Sequence, residues 1–386
     1  MSYFPSRKFL LLFPVLFLFI FFGCSSQRGI GRDDLAQGEC GRIDAGLDFS
    51  RRIETLNRIS HAYERGCFDR VIRYGRRAQE EYRQKTFSIL KETSNLFLPD
   101  GTWTDYVLES YERAYLSFLI AASYDRRSQA DETKVELRKL DHELMAPLYN
   151  FGEDPVNISL QAVLWEKVGD VGESRVDWTR LQEQKGIGEP VRTFAAKRTE
   201  AIDRRDPVWP AWKVYALDPF PDLEWRVAWL DSKNGYFLIR PKTPFPEHCA
   251  SGTGIGLSTA SWFKKIARRH DHDYHPLLNM QSWIRLPVGV LYGITTFGLG
   301  TGVAVGGCAL DAGLRGRGDL CNGAIYAGFA VISKSPEVVR QTLKPDLRHW
   351  EGVPSGILIT AAEEIQQEPC FKKLPADQQG RARRLL

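Results

Sequence analysis

The sequence predicts a mainly α chain, with helical hairpins first and then a small α+β region carrying a Gly-rich apolar helical hairpin. Three observations predict it. From residue 49 to residue 205, apolar and small residues recur at three- and four-residue steps, with turn residues interrupting the runs. Beyond Asp206-Pro207 that rhythm stops, and two β-prone runs flank Asn234-Gly235, the strongest short hairpin signal. Finally, residues 286–310 carry no charged side chain and are rich in glycine.

The chain opens with Arg7 and Lys8, followed by an apolar run from Phe9 to Phe22. As a helix that run would rise only about 21 Å, the length of a signal-peptide core and short for a membrane span. It ends in Phe21-Phe22-Gly23-Cys24-Ser25-Ser26. This resembles the bacterial lipobox, in which a small residue precedes a cysteine that takes diacylglycerol before cleavage. By that resemblance residues 1–23 are a signal peptide, Cys24 is the lipidation site, and Ser25 directs the chain to the outer membrane. Residues 24–48, polar and Gly-rich, read as a tether.

Composition narrows the function classes. Charged residues make up 26% and hydrophobic ones 43%, ordinary for a globular protein, and the net charge of +4 is weak for this length. No concentrated basic stripe is present, which argues against a nucleic-acid partner. Beside Cys24 stand Cys40, Cys67, Cys249, Cys308, Cys321 and Cys370. In an oxidising compartment these are disulfide candidates whose pairing the sequence leaves open.

The helical region, 49–205, repeats one device. Ile59 to Ala78 places apolar residues on one helical face, and Gly66 breaks the run in its middle. Leu164 to Leu181 does the same around Gly169-Asp170, with Trp165 and Trp178 on the apolar faces. A third copy runs from Ala114 to Tyr124 and, past a polar turn ending at Asp131, from Val135 to Leu140; Pro190–Arg204 supplies a closing helix. These pairs resemble tetratricopeptide repeats, which stack into concave surfaces that bind proteins or peptides.

The α+β region, 207–386, begins with a strand at Lys213–Leu217 and the hairpin around Asn234-Gly235. Near its end stands Asp346-Leu-Arg348-His-Trp350-Glu-Gly-Val353-Pro354. Together with the repeats and the lipobox, this resembles a family of bacterial lipoproteins of unknown function that end in an Asp-x-Arg-x-Trp-x-x-Leu-Pro segment. Val353 takes the place of the leucine. The resemblance implies a role in the outer membrane or periplasm.

One stretch could carry chemistry. Cys249-Ala-Ser-Gly252-Thr-Gly254-Ile-Gly256 precedes a helical run at Trp262–Arg269, then His270-Asp271-His272-Asp273-Tyr274-His275. A glycine loop can turn carbonyls toward a hard cation, and a histidine beside a carboxylate joins a general base to a metal ligand. The pattern resembles calcium-dependent secreted phospholipase A2. That resemblance implies His270 as the base, Asp271 with Gly252 and Gly254 as calcium ligands, and Tyr274 steadying the network. His270, His272, His275 and Asp273 could alternatively form an irregular metal loop, or the stretch could be a solvated helix end.

Residues 286–332 contain Gly289-x-x-x-Gly293, Gly298-x-x-x-Gly302 and Gly302-x-x-x-Gly306, then a polar loop between Cys308 and Cys321 and a shorter apolar run. They suit either insertion into membrane or a buried, disulfide-closed hairpin. The leading expectation is an adaptor: a lipid-anchored envelope scaffold that binds a protein or peptide through its repeats and needs no cofactor. A phospholipase-like hydrolase using calcium is the alternative, and an envelope protein that inserts 286–332 into lipid is a third reading.

Overall fold

The computed structural model describes residue 40 and residues 47–82, 106, 108–145, 154–184, 186–204, 211–227, 237–268, 294–295, 297–309, 322, 324–327 and 347–386. Met1–Ala45 and Gly46–Leu386 are separate compact units. The first is described only at Cys40, which is helical and disulfide-bonded. The leader and Cys24 lie outside the described residues.

The second unit is mostly helical. Its helices in chain order are α1 (Arg52–Glu64), α2 (Phe68–Tyr82), α3 (Ser110–Arg126), α4 (Ala130–Met145), α5 (Pro155–Lys167), α6 (Val171–Glu183) and α7 (Glu189–Asp203). They pack as successive pairs, α1 on α2, α3 on α4, α5 on α6, with α7 closing against α6. All three pairs turn in the same way. Each first helix ends with one residue at positive φ, Gly66 (74°), Ser128 (60°) or Gly169 (77°). The next amide then reaches back five residues: Cys67 to Ala62 (2.8 Å), Gln129 to Tyr124 (3.0 Å), Asp170 to Trp165 (2.9 Å). This is the Schellman cap, which satisfies orphan carbonyls at a helix end and favours glycine at its left-handed position. Gly169 lies in the turn as the sequence predicts, and Trp165 and Trp178 are buried.

The central helices α3 and α5 are buried nearly all round, from Ser110 to Tyr124 and from Pro155 to Glu166. Their polar residues are tied internally. Asp154 caps α5 by accepting from the Asn157 amide (3.1 Å), and Glu109 and Glu112 form a capping box on α3.

Strands β1 (Lys213–Ala216), β4 (Cys249–Ala250), β5 (Gly254–Ser258), β6 (Gly356–Thr360) and β7 (Arg383–Arg384) form an antiparallel sheet in the order β4-β5-β6-β1-β7. Strands β2 (Leu223–Val227) and β3 (Phe237–Pro241) pair separately as the predicted hairpin. One face of the larger sheet, including Tyr215, Cys249 and Leu358, is covered by Ile365, Cys370, Phe371 and Leu374. Alternation sends Val214, Ile255, Leu257, Ile357 and Ile359 to the other face, and α5 and α7 pack against β5. A further helix, α8 (Ala260–Arg268), follows β5, and short helices α9 (Pro369–Lys372) and α10 (Ala376–Gln379) precede β7.

The change of rhythm near residue 206 is therefore a change of element type inside one body. Trp262 on α8 stacks on Tyr111 of α3 with ring centroids 4.9 Å apart, and Trp350 meets Tyr115 edge-on at 5.5 Å. Tyr63 on α1 donates its hydroxyl to the Leu385 carbonyl (2.5 Å). Asn57 on α1 holds the turn after Trp350, donating to Glu351 (3.1 Å) and accepting from the Gly352 amide (3.2 Å).

Residues 297–309 are helical, and most of their side chains are exposed. The described part of 286–332 is thus not the buried hairpin that its apolar composition allows. No described helix is long and apolar enough to cross a membrane.

Candidate functional site

A groove of about 680 Å³ runs between α2, α3 and α4. Its floor is apolar, made by Ala78, Tyr82, Leu108 and Leu116, all buried. Its walls carry Arg76 and Gln79 from α2, Arg113 and Ser117 from α3, and Arg138, Lys139, His142 and Glu143 from α4. Helical spacing explains the rows: 76 and 79, 113 and 117, and 138, 139 and 142 each share a face with the next turn.

The walls are held in place by internal pairs. Glu136, wholly buried, receives Arg76 (3.3 Å) and Lys139 (2.7 Å). Arg113 donates to Glu143 (2.6 Å) and to the Leu108 carbonyl (2.9 Å), while Gln79 donates to Ser117 (2.8 Å). The Arg76 guanidinium also lies over the Tyr124 ring at 5.3 Å. The lining carries Arg76, Arg113, Arg138 and Lys139 beside Glu80 and Glu143, and with Glu136 behind Arg76 and Lys139 the cations exceed the carboxylates by one.

A second cleft, about 640 Å³, lies between α7 and the β4–β5 turn, with Phe194, Lys197, Arg198 and Trp212 facing Ser251, Gly252 and Thr253. Two buried carboxylates brace it from behind. Glu166 accepts from Trp178 (2.8 Å) and Trp212 (2.6 Å) and is clamped by Arg198 at 2.9 and 2.8 Å. Glu368 accepts from Thr253 (2.8 Å) and Thr360 (2.7 Å).

The glycine loop expected to hold calcium is the corner of this β-hairpin. Gly254 belongs to β5, and its carbonyl accepts both the amide (2.8 Å) and the hydroxyl (3.2 Å) of Ser251. The Thr253 carbonyl accepts the Ala361 amide (2.9 Å). These backbone oxygens are engaged within the hairpin and its neighbour, so the geometry gives the calcium role that the resemblance implies for Gly254 no support. Gly252 sits at the exposed tip. His270, Asp271 and Tyr274 lie outside the described residues, as do His272, Asp273 and His275. Among the described residues, no group of three His, Cys, Asp or Glu side chains is placed to hold a metal.

No family model, curated protein or solved structure matches this chain. The site is read from its own residues.

Of the cysteines, Cys249 and Cys370 form a disulfide joining β4 to α9, and Cys40, Cys67 and Cys308 are disulfide-bonded as well. Cys321 lies outside the described residues. His248, beside this disulfide, accepts the Ser258 amide at Nδ1 (3.2 Å). Burial, helped by nearby Lys264, holds its pKa below the ordinary histidine range. Sequence reasoning passed over Glu112, Glu136, Glu166 and Glu368. Only Glu166 gave a signal, a single acid closing the apolar run of α5 at Leu164-Trp165-Glu166, where a surface helix would carry several; Glu112, Glu136 and Glu368 stand among other polar and charged residues and gave none.

Proposed function

We propose that the protein is a lipid-anchored cell-envelope scaffold whose helical hairpins, tetratricopeptide-like in pairing and turn, hold an acidic segment of a partner protein. The reading rests on the groove between α2, α3 and α4. An apolar floor takes side chains of a bound segment, and a cationic wall favours carboxylates over other sequences. The groove offers binding surface without a nucleophile activated by a base, which suits an adaptor better than a catalyst.

The test is a photo-crosslinking residue in place of His142, an exposed residue of the wall, in the full chain made in its own cell. A discrete adduct with an envelope protein is expected, lost when Arg138→Glu and Lys139→Glu reverse the wall. No adduct from the groove, together with adducts from a control position on α6, would overturn the reading. The anchor is tested separately. Cys24→Ala should abolish incorporation of labelled acyl chains, and labelling that persists in the variant would remove Cys24 from the proposal.

A further inference from the structure

Residues 297–309 form a helix about 20 Å long. Large apolar side chains on it and just before it are exposed: Ile294 63%, Phe297 54%, Leu299 64%, Val303 44% and Val305 65%. At 100° per residue along 297–309, Phe297 and Val305 fall on one side and Leu299 and Val303 on the opposite one, with the less exposed Gly300, Ala304 and Gly307 between them. The helix is therefore apolar all the way round. A helix that docks on a protein carries one apolar stripe and a polar back, whereas all-round apolarity suits an environment that is apolar in every direction.

The polar groups of the stretch agree. Between 297 and 309 the sole hydroxyl belongs to Thr301, and it donates to the Phe297 carbonyl one turn back (2.9 Å). Cys308 is in a disulfide. No side chain of the helix needs water as a partner, which is the condition hydrocarbon imposes. The surrounding sequence, 286–310, carries no charge.

We propose that this helix embeds in the hydrocarbon region of a phospholipid bilayer and gives the protein a hold on the membrane that does not depend on an acyl chain. The insertion is independent of the groove and of any partner bound there.

The test uses the mature chain with Cys24→Ser, so that no lipid is attached, mixed with vesicles of phosphatidylethanolamine and phosphatidylglycerol. The protein should float with the vesicles and stay bound at high salt, because the attraction is apolar and not ionic. Val303→Asp with Val305→Asp should lower the bound fraction by about tenfold or more, as expected for charges placed in hydrocarbon. The melting temperature should not change, since both side chains are exposed. Phe297→Trp supplies a check that requires no charge: its added fluorescence should be quenched by lipids brominated on their acyl chains. Protein that remains at the bottom of the gradient, or binding that salt removes, overturns the proposal. So does a dimer that Val303→Asp with Val305→Asp splits without any vesicle binding, which would assign the surface to a second copy.

Discussion

Asp177 on α6 is almost fully buried and shares Arg180 with Asp141, the guanidinium lying 3.1 Å from Asp177 and 2.6 Å from Asp141. Burial outweighs this divided ion pair and pushes the Asp177 carboxyl up to about 8. In the unfolded chain it titrates near 3.8. Between those values the folded protein keeps a proton that the unfolded chain releases. Its contribution to stability is therefore complete below pH 3.8, declines as pH rises toward about 8, and levels off above. Asp177→Asn should remove that slope: the variant gains on the parent in melting temperature from pH 5 to pH 8. Parallel curves would show that Asp177 is ionised in the folded state.

The three caps offer a second measurement at this scale. Ser128 holds a left-handed conformation that costs a side-chain-bearing residue about 1 kcal/mol. Ser128→Gly should stabilise by about 0.5 kcal/mol, since glycine also gives back backbone entropy. Gly169→Val should destabilise by about 1 kcal/mol or more in urea titrations, although a Cβ there would meet open space. Opposite signs at equivalent positions would tie both effects to the backbone.

Among the elements, the helices and the β2–β3 hairpin were legible because local periodicity and Asn234-Gly235 specify them without help from distant residues. β5 was not. Gly254-Ile-Gly-Leu-Ser258 reads as a loop by its glycines, yet it is a buried strand. A side chain at Gly254 would collide with the Ile359 carbonyl of β6, so the glycine records close backbone approach. That neighbour lies about a hundred residues away, beyond the reach of any window. The same distance hid the role of Gly356–Thr360, and the cationic groove escaped notice because its three rows come from three helices. The Cys249–Cys370 bridge, with a separation of 121 residues, locks β4 to α9 across this sheet. Replacing both cysteines with alanine should cost about 5 kcal/mol on the chain-entropy argument, read from urea unfolding of oxidised parent and variant. A cost below about 1 kcal/mol would mean that the unfolded chain is already constrained there.

For the whole molecule, Glu112 joins the two kinds of structure. Wholly buried on α3, it accepts from the Tyr106 hydroxyl (2.5 Å), the Glu109 amide (2.8 Å) and the Trp350 amide (2.8 Å). Helices and sheet so joined should unfold together, giving one calorimetric transition for Gly46–Leu386. Glu112→Ala should lower that single transition, by about 3 kcal/mol in free energy, because three buried donors lose their acceptor at once. Two separated transitions in the parent would mean that the halves are independent after all.

The order β4-β5-β6-β1-β7 also sets a schedule for the ribosome. β6 pairs with both β5 and β1, so neither of those has its central partner until residue 360 has been made. At synthesis rates of about 5–20 residues per second, β1 waits roughly seven to thirty seconds. During that interval its apolar residues and those of β5 have no sheet to enter. Fragments stopping before Gly356 should therefore aggregate where the full chain does not.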